Sequence, residues 1–398
     1  MTSQTFIDLS RWQFATTAAF HMTFPALSVG LAIFLCILYG AYCKTGNPLY
    51  LQMFRFWRRI FAIGFALGIV AGIVLTFELG LNWGIYARAV GPILGPMICM
   101  EALTAFFLEA GFFGLLVWGE GRISKRVTMV ATCMAALGAL LSTAWILDAN
   151  SWMQTPAGYR EVNGQFQPTN WYHTIFNPAF NYRFPHMVLA VLIASAWFIA
   201  AIGAYYLLRH RALPLAKKTM SFALLAAAIL LPIQLNVGDD MATYMTGVYQ
   251  PDKLIAAEGN FNNGNTGWNL FTIADQLRRR LYTEPWFLRL VLWMLPVGVI
   301  ATIAGWVVSE SGRQPWIVYG KLQVNQAASS LSTGELIASL AAFWIVYLVL
   351  VTAWIRQVVR EVRRGPDPLP GQEGSDAAAP SASGAPAPAG QPMTPVAA

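Results

Sequence analysis

The chain has 398 residues, 56% of them hydrophobic and 11% charged, with a formal net charge of +7. Soluble domains carry about 25% charged residues, and one core apolar enough to absorb this composition is rarely built at such a length. The composition therefore excludes an ordinary soluble enzyme and makes a lipid bilayer the expected surroundings. The positive charge is not a nucleic-acid footprint, because the basic residues sit in short clusters beside apolar runs, the pattern of cytoplasmic membrane loops.

Taken in chain order, eight apolar runs are long enough to span a bilayer at roughly 20 residues each. They cover residues 16–42, 60–83, 91–118, 127–147, 186–208, 219–238, 286–308 and 335–356. The predicted fold is an all-α integral membrane protein, a bundle of about eight transmembrane helices. The first run has no basic stretch ahead of it and is preceded by Asp8 and Arg11, so it reads as a retained span rather than a cleaved leader. Lys44, Arg55, Arg58 and Arg59 follow the first run. Arg122, Lys125 and Arg126 follow the third, and Arg209, Arg211, Lys217 and Lys218 the fifth. These loops are expected in the cytoplasm and the N-terminus outside. The four cysteines, Cys36, Cys43, Cys99 and Cys133, have no metal-type spacing and read as free buried thiols.

Residues 148–184 form a predicted outer loop, and a polar segment runs over 241–284. Past Gly365 the chain is rich in Pro, Ala, Ser and Gly, a composition that stays disordered. The expected organisation is a six-span core over 1–240, the polar segment 241–284, two further spans over 285–357, and a basic and then Pro/Ala-rich tail over 358–398. No internal repeat is visible.

Ionisable residues at membrane depth are costly and mark function by default. His21 lies in the first run, Glu78 near the end of the second, and Glu101 and Glu109 in the third. The two glutamates are eight apart, so on a helix they fall within about 80° of each other. His186 opens the fifth span, and Glu310 follows Trp306 by four residues at the end of the seventh. Imidazole suits iron, and a proton relay through lipid needs carboxylates in file. The pattern by itself leaves an oxidase, an ion transporter and a membrane scaffold open.

The same residues lie in strings that resemble subunit I of the cytochrome bd-type quinol oxidases. They are Leu9-Ser10-Arg11-Trp12-Gln13-Phe14 leading to Phe20-His21, Gly80-Leu81-Asn82-Trp83, and the run Glu101 to Glu109. Asn150-Ser151-Trp152-Met153-Gln154, Gly238-Asp239-Asp240, and Gly305-Trp306 through Glu310 to Gly312-Arg313-Gln314-Pro315-Trp316 continue the match, which covers about 5–357. The resemblance implies that His21 is the axial ligand of a high-spin haem b, with Arg11 also on the cofactor side. It implies that His186 ligates a low-spin haem b, and that Glu310 serves the oxygen site, where a haem d or haem b sits, with Trp306 between redox centres. Glu101 would face that site and Glu109 continue a proton path from the cytoplasm. Lys253 and Glu258 match the polar pair of the quinol loop. The implied activity is oxidation of quinol and reduction of oxygen to water, in the inner membrane, beside a subunit II-like partner. A related protein with another electron donor, or a non-catalytic haem-binding or scaffold subunit, is the alternative.

The family pattern has one more helix than this chain, between the quinol loop and the Trp306 helix, and that helix carries the second ligand of the low-spin haem. Met241 and Met245, four apart beyond the sixth span, could substitute for it, the alternative being that both only pack as flexible gap fillers. The loss also creates a topological conflict, because the sixth span should end outside and the seventh begin inside. Arg278, Arg279 and Arg280 place the start of the seventh inside, yet 241–284 holds no 20-residue apolar run. Either that segment crosses in irregular form or the last two spans are inverted.

Overall fold

The computed structural model describes residues 4–251, 253–254, 282–329 and 332–368. Glu258, Arg278, Arg279, Arg280 and the tail beyond residue 368 lie outside the described residues.

Among the described residues, eight helical segments are long and apolar enough to cross a membrane. The first, Gln4–Thr45, starts earlier than its apolar run and consists of α1 (Gln4–Thr23) and α2 (Pro25–Thr45). They part at Pro25, whose missing N–H interrupts the ladder. Then come α3 (Pro48–Leu81), α4 (Gly84–Glu101), a π-helical stretch (Ala102–Phe106) and α5 (Phe107–Trp118). The fourth span is α6 (Lys125–Gln154).

The predicted outer loop 148–184 is shorter than its composition suggested. Helical hydrogen bonding continues to Gln154, and a hairpin of β1 (Tyr159–Val162) and β2 (Gln165–Pro168) and one turn, α7 (Trp171–Ile175), fill the gap. The fifth span, α8 (Pro178–Leu208), starts where the Asn177 side chain accepts from Phe180 N–H ahead of Pro178. The sixth runs through α9 (Leu213–Asp240), a second π-helical stretch (Met241–Thr246) and the single turn α10 (Gly247–Tyr249). The seventh, α11 (Pro285–Trp293) and α12 (Val297–Ser311), breaks just before Val297, which follows Pro296. A small hairpin of β3 (Trp316–Val318) and β4 (Leu322–Gln323) precedes the last span, α13 (Thr333–Arg364).

Ser332 and Glu335 form a capping box at the start of α13. This helix runs past residue 357, where the expected tail begins, because its basic end is held. Arg59 pairs with Glu361 at 2.9 Å and with Asp367 at 2.7 Å, and the Tyr206 hydroxyl donates to the Val362 carbonyl at 2.7 Å.

α8 is the axis of the bundle. Two thirds of its most apolar stretch (67%) is buried, against 6% for the Pro285–Ser311 span. Close packing on it needs glycine. A Cβ on Gly30 of α2 would lie 2.3 Å from Ser195 Oγ, and one on Gly298 of α12 would lie 2.4 Å from Ala194 Cα. Exposed Trp293, Ile300, Ile345 and Leu348 instead cover the outside of the seventh and eighth spans with apolar surface, as lipid or another membrane subunit requires.

The ends of the bundle resolve the topological conflict. Gln250 Nε2 donates to the Gln154 carbonyl at 3.1 Å and Lys253 Nζ to the Ser309 carbonyl at 3.0 Å. The sixth span therefore finishes at the end of the bundle where α6 and α12 finish and where α1 begins. Tyr282 lies at the opposite, basic end, with its hydroxyl 2.5 Å from Ser221 Oγ near the start of α9. The described residues on either side, Leu254 and Tyr282, therefore lie at opposite ends of the bundle, and the seventh and eighth spans are not inverted.

Candidate functional site

His21 sits on α1 where α3 has two glycines on the facing side. A Cβ on Gly72 would lie 3.2 Å from the imidazole Cε1, and the Gly68 carbonyl faces the ring. Nδ1 is buried and makes no hydrogen bond of good geometry. His186 on α8 is treated alike by α9. A Cβ on Gly238 would lie 3.4 Å from its Cε1, and Gln234 Nε2 lies 3.3 Å from both ring nitrogens. Both histidines thus face glycine across a helix pair, where a larger residue would close the space.

The acidic pair is brought into line by the π-helical stretch between its members. Residues of that wider turn each advance by less than 100°, which reduces the offset expected for a regular helix. Both carboxylates then face one stripe of α6. Ser142 Oγ donates to Glu101 Oε1 at 2.7 Å, and a Cβ on Gly138, one turn earlier, would lie 2.8 Å from Glu109 Cβ. Glu109 is 8% exposed, and its chief charged neighbour is Glu101.

A third group closes the N-terminal end of the bundle. Glu310 accepts from Asn150 Nδ2 at 3.1 Å and is ion-paired with Arg313. Arg183 donates to Ser309 Oγ at 3.1 Å, and Lys253 Nζ donates to Gln250 Oε1 at 3.1 Å. One carboxylate is thus shared among three cations, and buried nitrogens of Arg183 and Arg313 remain without partners. Burial, then the Arg183 charge, lowers the Lys253 pKa to about 8, with Glu310 opposing.

The sequence strings contained most of these residues but not their roles. Arg313 was visible only as part of a motif, Arg183 was not singled out, and Asp148, hydrogen-bonded to Asn177 at 3.1 Å, was read only as the start of the outer loop. Trp306 packs against Phe14 of α1, with ring centroids 6.4 Å apart. Arg11 is at the surface beside Asp8, about 15 Å along α1 from His21. Met245 is buried and Met241 half-buried in the second π-helical stretch, but the residue facing His186 is Gly238.

No group of three or more His, Cys, Asp or Glu side chains suited to a bare metal ion occurs among the described residues. Two separate imidazoles facing glycine suit instead a macrocycle that brings its own equatorial nitrogens and needs only axial ligands. The buried, unpartnered Nδ1 of His21 and the cationic nitrogens left over at the N-terminal end fit such a group and its carboxylates.

A profile of the family described as cytochrome bd terminal oxidase subunit I matches residues 9–284 and 277–366. The chain is 28% identical to cytochrome bd ubiquinol oxidase subunit 1 of Bacillus subtilis, over 90% of its own length and 93% of the relative's. It is also 28% identical to cytochrome bd-II ubiquinol oxidase subunit 1 of Escherichia coli, over 92% and 98%. That alignment runs over 505 positions, more than the chain contains, so this relative carries insertions against it. The fold matches that of bd oxidase from Geobacillus thermodenitrificans with a TM-score of 0.84 at 23% identity, covering 92% of this chain and 100% of the other.

Proposed function

Since the chain belongs to the cytochrome bd terminal oxidase subunit I family, we propose that it is the haem-bearing subunit of a quinol-oxidising, oxygen-reducing complex in the bacterial inner membrane. Haem is the cofactor that membership implies. The observation that carries the reading is the pairing of two glycine-faced, half-buried histidines with a file of two carboxylates in one bundle. When bound, haem supplies electron transfer and the oxygen-binding iron.

The chain's own residues hold and supply that chemistry. His21 would hold a high-spin haem b and His186 a low-spin haem b. The Gly68 carbonyl of α3 faces the His21 ring. Glu109 and Glu101 pass protons along the α6 stripe, with Ser142 as the hydroxyl between helix and acid. Glu310 and Trp306 serve the oxygen site, whose haem is d or b. Lys253 donates to quinol from a position anchored by Gln250 and Ser309, together with Glu258.

Among the described residues, the basic clusters of the loops after the first, third and fifth spans sit at the end of the bundle opposite Gln4, which supports an outside N-terminus and proton uptake from the cytoplasm. The subunit designation of the two relatives supports a second, subunit II-like membrane partner. The shortened 241–284 segment favours a modified donor site, so another electron donor remains the second reading.

Absorption spectra test this directly. His21→Ala should lose the high-spin haem b signal and oxygen uptake, and His186→Ala the low-spin signal alone. Full haem absorbance and full oxygen uptake in His21→Ala would overturn the assignment.

A further inference from the structure

Three helices meet along the N-terminal half of α1, with α3 antiparallel and α13 parallel to it. The rungs between them are set by contacts. His21 lies over Gly72, and Thr17 lies beside Glu78. The Tyr347 hydroxyl donates to Thr17 Oγ1 at 3.0 Å, and Gln13 Nε2 donates to Ser339 Oγ at 2.9 Å. Asn82, one turn past Glu78, therefore stands level with Ser10 and Gln13 at about 1.5 Å per residue.

This interface is polar and closed. Ser10, Gln13, Glu78 and Asn82 are all 0% exposed. Yet Ser10 Oγ, Gln13 Oε1 and both side-chain polar atoms of Asn82 have no hydrogen-bond partner, and the Glu78 carboxyl has only the Thr17 hydroxyl beside it. His21 Nδ1 ends the series. Nearly all buried polar atoms in folded proteins are paired, with ordered water where protein groups are lacking. A single orphan can be an accident of packing. This run spans about 16 Å of α1, from Ser10 to His21, with a carboxylic acid in its middle.

Among the described residues, no cation faces that acid. α13 presents Tyr347, and α1 presents Thr17 and, farther in, His21. On α4, Tyr86 has Arg313 and Glu310 as its charged neighbours, and Glu109 of α5 has Glu101. The titratable groups of α2 and α9 that flank α3 belong to the basic half of the bundle.

We propose that the α1/α3/α13 interface holds a file of ordered waters, and that through it Glu78 exchanges protons with the N-terminal end of the bundle. Glu78 is then a protonatable group serving the His21 site from the side opposite Glu101 and Glu109. The step is a proton transfer only. A water in the file gives H⁺ to the Glu78 carboxylate and is re-protonated from the next, so no bond is oxidised or reduced. Resting on the haem reading above, an electron arriving from quinol at a haem on His21 adds one negative charge. Glu78 is six residues from the Gly72 rung, about 9 Å along α3. At that separation a buried charge is weakly screened, and proton uptake by Glu78 compensates it.

Infrared spectroscopy on the intact purified complex tests the proposal with Glu78→Gln. A protonated-carboxyl band should be present in the native protein, shift promptly on transfer to D2O, and vanish in the variant. In the same variant the midpoint potential of the His21 haem should lose part of its pH dependence, with the haem absorbance retained. A native protein with no band that is both exchangeable and lost in Glu78→Gln overturns the proposal. So does a haem potential whose pH slope is unchanged in the variant. If the His21 haem is itself absent, the functional reading fails, and the infrared band still decides the proposal. Should Glu78→Gln not fold, Ser10→Ala with Asn82→Leu, which empties the file but keeps the acid, should slow the D2O shift at least tenfold. An unchanged exchange rate there also overturns it.

Discussion

Lys253 is an ammonium held among cations. Its ordinary pKa of 10.5 falls to about 8 because burial and Arg183 disfavour the charged form. In the unfolded chain the group binds its proton up to the higher value, so between about 8 and 10.5 the unfolded state holds more protons than the folded one. The stability cost of burying the charge is therefore full below pH 8 and relieved as pH rises through that window. The donor function runs the other way, since the ammonium is present at pH 7 and lost above about 8. Steady-state kinetics with a reduced quinol should show KM rising as pH passes 8, and Lys253→Met should have the high KM at every pH. A native KM flat from pH 7 to 9 would exclude Lys253 as a charged donor. Glu101 and Glu109 belong to the same scale. Replacing either by Gln should slow oxygen uptake by about 100-fold, the usual size of a lost proton-transfer group, with haem absorbance unchanged. Native uptake in both variants would remove them from the proton path.

At the scale of elements, the two π-helical stretches stand beside the groups assigned to chemistry, Ala102–Phe106 between the two glutamates and Met241–Thr246 just past Gly238. The first re-phases a helix so that two acids share one neighbour, which regular 3.6-residue spacing did not provide. The docking of the seventh span depends on Gly298 in a similar way. A methyl group there meets backbone, which cannot rotate aside, whereas one on Gly40 would lie 3.5 Å from Met129 Cε, an ordinary contact. Gly298→Ala should cost about 1–3 kcal/mol and lower the thermal midpoint of the solubilised protein. Gly40→Ala should leave it in place. Equal midpoints for the two variants would mean that α12 does not pack on α8 as described.

For the molecule as a whole, ion pairs and hydrogen bonds gather the basic residues of several loops at one end. Arg55 and Arg58 pair with Glu120, Arg59 with Glu361 and Asp367, and Arg211 donates to the Arg363 carbonyl, all at one end. The hairpin turn at Gly164 lies at the other. In a variant without native cysteines, a membrane-impermeant thiol reagent applied to intact cells should label Gly164→Cys and not Gly121→Cys. Labelling of both, or of Gly121→Cys alone, would overturn the orientation.

The solvent, the number of apolar spans, the family and the identity of His21, His186, Glu101, Glu109 and Glu310 as the costly residues at depth are all legible in the chain alone. Each of these follows from composition, run length or a short ordered string, all of which are local in the chain. Only the tertiary structure decided where such residues meet. Arg183, Gln154 and Glu310 come from three different spans and Lys253 from just past a fourth, and they share one end because α6, α8, α12 and the sixth span all reach it. The direction of the last two spans was decided in the same way. Hydropathy counts crossings only where a long apolar helix makes them, whereas the hydrogen bonds of Lys253 and Tyr282 show at which end each flank stops. The orphaned file around Glu78 was least legible of all. Whether a buried polar atom has a partner depends on neighbours that are tens to hundreds of residues away along the chain, and no local pattern records them.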